Sequence, residues 1–290
     1  MIGVFDSGFG GLTVLASLLD RLPAYDYLYL GDSARAPYGT RSPDAVLEFT
    51  REAVEHLFAA GCPLVVLACN TSSARALRTL QQRYLPAHHP DRRILGVVRP
   101  AAEVLAGLGP GAIPGETPPA TVTGTVAVVG TPGTVASDSY RIELAKLAPG
   151  LSLVQQACPL WVPLVEAGEL AGPGTEYFLH KYLDPLFAKP PVPERLLLAC
   201  THYPLLLPGI RRICPPGTEV IAQGEVVADR LADWLVRHPE MEQRLGRGGT
   251  RRYLTTDDPV WFAARGEAIL GLPIAVEKAR LLPVLATTRS

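Results

Sequence analysis

The feature that most limits what this chain can fold into is a repeated unit: a short apolar run, closed by a small or polar turn, then a stretch of helical periodicity. The runs are too brief for buried helices and read as strands buried on both faces, joined by crossover helices into a parallel sheet. In the first part of the chain the strand candidates are Ile2 to Phe5, Tyr27 to Leu30, Leu64 to Ala68 and Ile94 to Val97, with helices near Gly11 to Arg21, Pro43 to Ala60 and Ser72 to Tyr84. After Arg99-Pro100 the pattern restarts with a helix to about Leu108 and a Gly-, Pro- and Thr-rich stretch, Gly109 to Gly124, expected to be an exposed loop. Strand Val126 to Val129, helix Pro132 to Leu147, strand Leu151 to Gln155, helices around Pro163 and Tyr177, and strand Arg195 to Ala199 predict a second sheet. Beyond Pro208 come strand Glu219 to Ile221, helix Glu225 to Arg237, strand Arg252 to Thr255 and helix Pro259 to Leu270.

The two parts echo each other chemically. Leu64-Val65-Val66-Leu67-Ala68-Cys69-Asn70-Thr71 parallels Leu196-Leu197-Leu198-Ala199-Cys200-Thr201-His202, and a glycine-containing strand end lies upstream of each, at Asp6-Ser7-Gly8 and at Gly130-Thr131-Pro132-Gly133. An internal duplication follows from that echo.

Composition narrows the function. With 27 basic and 28 acidic residues the net charge is -1, so no broad field points to nucleic acid or an anionic membrane, and a small-molecule partner is the default. The opening Met1-Ile2-Gly3-Val4-Phe5-Asp6 lacks the pattern of a signal peptide and no apolar run approaches a membrane span, so a soluble, cytoplasmic protein is expected. The 5 cysteines, an odd number and widely separated in a chain of 290 residues, read as free thiols in a reducing compartment.

Ligands bind where parallel strands end and helices begin, and both Ala-Cys motifs fall there. A cysteine at such a turn feels unpaired helical N–H groups, which favour thiolate, so Cys69 and Cys200 are candidate bases. For Cys62, Cys158 and Cys214 the plainer reading, small buried hydrophobes, is accepted. Asp6 and Ser7 could approach a ligand through the Gly-rich Asp-Ser-Gly-Phe-Gly-Gly turn or merely cap the next helix. The run Gly31 to Gly39 could likewise be only a structured loop. His202, two residues past Cys200, is a candidate proton partner, whereas His56, His88, His89, His180 and His238 sit in helical or surface contexts. No Cys-x-x-Cys or His-x-x-x-His pair suggests a metal site.

At these residues the sequence closely resembles the glutamate racemases of the aspartate/glutamate racemase superfamily, from Gly3 to about Leu270. The segments that carry the resemblance are Gly3 to Leu12, Asp32 to Gly39, Ala68-Cys69-Asn70-Thr71, Cys158 to Glu166 and Cys200-Thr201-His202-Tyr203-Pro204-Leu205. It implies an α/β fold of two pseudo-symmetric doubly wound sheets facing each other across a central cleft, with residues 1-98 plus 208-290 in one domain and 99-207 in the other. It also implies interconversion of L- and D-glutamate without pyridoxal phosphate or any other cofactor or metal, supply of D-glutamate for peptidoglycan, and a homodimer. Cys69 and Cys200 would be the two bases, with Asp6 assisting the first and His202 the second. Ser7, Pro37, Tyr38, Gly39, Asn70, Thr71 and Thr201 would hold the substrate together with Asp6, Cys69 and His202, while Glu166, near the second thiol, and Thr131 would give support. The chain departs from the family pattern at Ala199, where glycine is usual, at Ala222-Gln223-Gly224, where Asp-Ser or Asp-Gly is usual, and in the length of the Gly109 to Gly124 stretch.

The chemistry asks for such an arrangement on its own terms. Racemisation takes the Cα proton from one face and returns one to the other, so a thiolate must face a thiol across the substrate. The carbanion then needs buried hydrogen-bond donors such as the Asn70 amide. Pyridoxal chemistry would instead need a lysine, and Lys146, Lys181, Lys189 and Lys278 lie outside every motif. An aspartate or hydantoin racemase of the same superfamily is the near alternative. A Cys-His-Asp thiol hydrolase with an acyl intermediate, and a non-catalytic amino-acid-binding module, are the alternatives of other classes.

Overall fold

Among the described residues the nine expected runs become strands, β1 (Ile2–Asp6), β2 (Tyr27–Gly31), β3 (Leu64–Leu67), β4 (Arg93–Gly96), β5 (Gly124–Gly130), β6 (Leu151–Ala157), β7 (Arg195–Ala199), β8 (Glu219–Ala222) and β9 (Arg251–Thr255), and a short tenth that the sequence reading did not name, β10 (Val276–Lys278), joins them. They are seen in a computed structural model that describes residues 1–109 and 119–282. Every pairing is parallel. One sheet runs β10-β9-β2-β1-β3-β4 and the other β6-β5-β7-β8. The cores of the two sheets, β2-β1-β3-β4 and β6-β5-β7-β8, share one strand order, which is the duplication seen in the sequence.

That symmetry corrects one boundary. The sequence reading gave everything from 208 onward to the first half, yet β8 pairs with β7 from Arg195↔Glu219 to Leu198↔Ala222, as β4 pairs with β3. The chain therefore crosses back only after Ala222, at the start of a helix that packs against both halves.

Helices fill the intervals. They are α1 (Leu12–Arg21), α2 (Pro43–Ala59), α3 (Asn70–Arg75), α4 (Leu77–Thr79), α5 (Leu85–His88) and α6 (Val98–Leu105) up to the first crossing. α7 (Pro132–Ala136), α8 (Ser139–Leu147), α9 (Trp161–Glu166), α10 (Pro173–Phe187) and α11 (Leu207–Ile213) follow, then α12 (Gln223–Arg237), α13 (Pro239–Glu242) and α14 (Pro259–Leu270). Local chemistry sets several starts: Ser42 Oγ accepts from Ala45 N ahead of Pro43, and Asp258 Oδ1 accepts from Val260 N ahead of Pro259.

Two expected helices are broken. Pro132 to Leu147 divides where Asp138 adopts φ 54°, a left-handed backbone that aspartate tolerates. The helix expected from Ser72 to Tyr84 begins earlier, capped by Cys69, and passes through α4 into a wide π-helical turn at Leu80–Tyr84. The expected Gly109 to Gly124 loop falls partly on residues 110–118, outside the described residues.

Strand alternation sorts the core. Phe5, Leu28, Leu30, Val65 and Leu67 face a cluster with α2, and Val126, Val128, Leu197 and Ala199 face one with α6 and α8. The opposite faces, Ile2, Val4, Tyr27, Tyr29, Leu64 and Val66 from one sheet and Ala127, Val129, Leu196 and Leu198 from the other, enter a single shared cluster with α1, α9, α10 and α12. Both sheets are covered on both faces, and the molecule's largest apolar cluster is common to them. No helix among the described residues is long and apolar enough to cross a membrane.

Candidate active site

Each half contributes the end of its third strand, next to the point where strand order reverses and ligands bind in open α/β sheets. β3 leads into Cys69, whose Sγ accepts from Ser72 N at 3.4 Å and lies 3.5 Å from Ser7 Oγ. β7 leads into Cys200, whose Sγ lies 4.0 Å from His202 Nδ1. Both thiols are buried and both line one cavity between the sheets.

The two thiols sit in opposite electrostatic surroundings. Burial, and then the nearby carboxyl of Asp6, push the Cys69 thiol up to about 11, against the smaller pull of its bonds to Ser72 and Ser7. The expectation that a helix start would lower it is corrected: α3 is only six residues long, and desolvation outweighs its N–H groups. At Cys200 no α-helix begins directly; a turn and a 3-10 segment at Tyr203–Leu206 precede α11. What Cys200 has instead is His202. Burial pulls that imidazole down, but the bond to Cys200 and the carboxylates of Glu166 and Asp6 more than offset it and hold it at about 10. Glu166 Oε1 stands 3.4 Å from His202 Nε2 and is, with Asp6, the second carboxyl of the neighbourhood.

Asp6 lies behind the cavity wall and is fully buried. Its Oδ2 accepts from Gly8 N at 3.0 Å, and its Oδ1 accepts from Thr201 Oγ1 of the other half at 3.2 Å. Burial raises its pKa, and His202 opposes that. The glycines after Asp6 serve these groups: a Cβ on Gly10 would stand 2.4 Å from His202 Nδ1 and 2.7 Å from Thr201 Oγ1, so the backbone approaches the histidine itself.

The other expected residues divide by what they still have to offer. Pro37, Tyr38 and Gly39 border the cavity, but Tyr38 donates its hydroxyl to buried Asp32, which also accepts from Arg35 Nε at 2.6 Å and Thr256 Oγ1 at 2.8 Å. Tyr38 thus pins the loop from behind, leaving backbone groups to face a ligand. Ser7, Asn70, Thr71 and Thr201 also line the cavity. Thr71 Oγ1 and Thr131 Oγ1, 2.9 Å apart, join the halves, and Thr131 caps α7 by accepting from Thr134 N at 3.2 Å. Glu166 and Thr131 are both in the wall.

Cys158, read from sequence as a packing residue, is fully buried as expected yet borders the same cavity beside Pro159, Val162 and Pro163. Burial keeps it a thiol. The signal was present, since Cys158 opens one of the segments that carry the family resemblance. Among the described residues no lysine lines the cavity, and no three or more His, Cys, Asp and Glu form a group suited to a metal ion.

No family model matches the chain. A curated relative from Ruegeria pomeroyi, a glutamate racemase, is 44% identical over 271 residues, covering 93% of this chain and 96% of its own length. Among solved structures, the glutamate racemase of Francisella tularensis in complex with D-glutamate matches with TM-score 0.81 and 29% identity over 97% of both chains. An isoform from Bacillus anthracis matches with TM-score 0.83 and 31% identity over 97% of both chains. Identity of that extent over nearly the whole length, on the same two-sheet fold, establishes that the chain belongs to the glutamate racemase family.

Proposed function

We propose that the chain interconverts L- and D-glutamate by two-base proton transfer at Cα, with Cys69 acting on one face of the substrate and Cys200 on the other. The observation that carries this reading is that two buried thiols, each from the equivalent strand end of a duplicated half, line one cavity. A hydrolase would use one nucleophile and leave the second thiol idle.

Before substrate binds, Cys69 holds its proton, being buried beside Asp6, and the His202 imidazole stands 4.0 Å from Cys200 Sγ, placed to stabilise the thiolate that the reaction requires there. Cys200 thiolate takes the proton of the enantiomer that presents Cα–H to it, and Cys69 delivers its own proton to the opposite face. The other enantiomer needs the reverse proton distribution. Ser7 and Thr71, with the backbone of the Pro37 to Gly39 loop, offer donors for the carboxylates, Thr201 borders the substrate with its hydroxyl given to Asp6, and the Asn70 amide stabilises charge that gathers on the α-carboxylate as the proton leaves. The chain itself then provides acid, base and charge stabilisation, without a cofactor, and the D-glutamate formed would serve peptidoglycan synthesis.

The test is incubation with L-glutamate in heavy water, following optical rotation and Cα deuteration. The unsubstituted protein should racemise with deuterium entering at Cα, and Cys69→Ala and Cys200→Ala should each abolish racemisation. Normal turnover by either variant rules out the two-base assignment.

A further inference from the structure

Gln223, in the Ala222-Gln223-Gly224 segment that departs from the family pattern, closes a circuit of three hydrogen bonds behind the cavity. Asn70 Nδ2 donates to Gln223 Oε1 at 2.6 Å, Gln223 Nε2 donates to the Tyr140 hydroxyl at 2.6 Å, and that hydroxyl donates to Asn70 Oδ1 at 2.7 Å. Each group gives one bond and takes one in the same sense around the ring, so the bonds polarise one another. All three side chains are buried, Asn70 and Gln223 at 3% exposure and Tyr140 at 0%. They come from three places: the start of α3, the start of α12 and α8.

Only Asn70 of the three borders the cavity. Its carbonyl is taken by Tyr140 and one N–H by Gln223, so what its amide has left is the second N–H. Reversing the amide would set Asn70 N–H against the Tyr140 hydroxyl and its carbonyl against Gln223 Oε1, two acceptors facing without a proton. A carboxylate at 223 could only accept, which would draw the Tyr140 hydroxyl away from Asn70 and release that constraint.

We propose that Gln223 and Tyr140 are positioning residues that act through Asn70, holding its amide so that its free N–H donates to the α-carboxylate of bound glutamate. The proposal rests on the reading of the cavity as a glutamate site. Both residues act from behind the wall and neither touches substrate.

The test is a double-mutant cycle on the full chain, with turnover and KM measured for both enantiomers. Tyr140→Phe should lower kcat by about tenfold, less than the hundredfold or more lost with a whole donor of this kind. Gln223→Glu, which keeps the shape and removes the donor, should do the same and stands in if Tyr140→Phe does not fold. In an Asn70→Ala background each substitution should change kcat less than about twofold, because the residue it acts through is gone. Equal losses in both backgrounds, or no loss in the unsubstituted background, overturn the proposal. If the unsubstituted protein does not exchange Cα hydrogen, the two-base reading falls separately. The same cycle is then read from the dissociation constant of L-glutamate, where additivity between Asn70 and its two partners again overturns the proposal.

Discussion

The asymmetry between Cys69 beside Asp6 and Cys200 beside His202 is bounded by thermodynamics. Enantiomers have equal free energy, so kcat/KM must be the same in both directions at every pH, and the unequal thiols can only redistribute kcat and KM between them. The charge held on His202 should also be visible in stability. His202 titrates at about 10 in the folded chain against 6.5 when free, so its contribution is fully present below pH 6.5 and is lost as pH rises through about 10. Urea midpoints of the unsubstituted protein and of His202→Asn should therefore converge as pH rises through that window. A gap that stays constant would mean that His202 is not held charged by its neighbours.

At the level of elements, the Asp6 to Gly11 turn carries a sharp prediction. Gly10→Ala puts a Cβ against the His202 ring and Thr201 Oγ1, so overpacking should cost about 1–3 kcal/mol and move His202 away from Cys200. Denaturation and turnover measured together test this, and a variant as stable and as active as the parent would show that the contact gives way without consequence. From sequence, the same glycines read as room for a ligand, because a one-dimensional pattern does not say what a backbone approaches. The strands were legible because their period and turn residues are local, as was the pairing of Cys69 with Cys200, which the duplicated Ala-Cys motifs announce. The break at Asp138 turns on one residue's tolerance of a left-handed backbone, and the placement of β8 turns on which neighbour it pairs with. The Asn70, Gln223 and Tyr140 ring depends on three segments meeting, so Gln223 could be noticed in the sequence only as a departure.

For the whole molecule, the apolar cluster shared by both sheets predicts that the halves melt together. Trp161, buried in the second half, and Trp234 and Trp261, on α12 and α14, give fluorescence from both sides, and it should change at the same denaturant concentration as far-ultraviolet dichroism. Two separated transitions would mean that each half is a unit of its own. The backbone passes between the sheets twice, at Val97 between β4 and α6 and at Ala222-Gln223 between β8 and α12. Two stitches define a spine, and swinging about that spine is the rigid movement that leaves both of them intact. Displacement grows with distance from a pivot. An amide tethered to Gln223, at one of the stitches, would therefore stay almost still while the outer edges of the two covers travel furthest, so a ligand could be gripped at its innermost end before the book is shut.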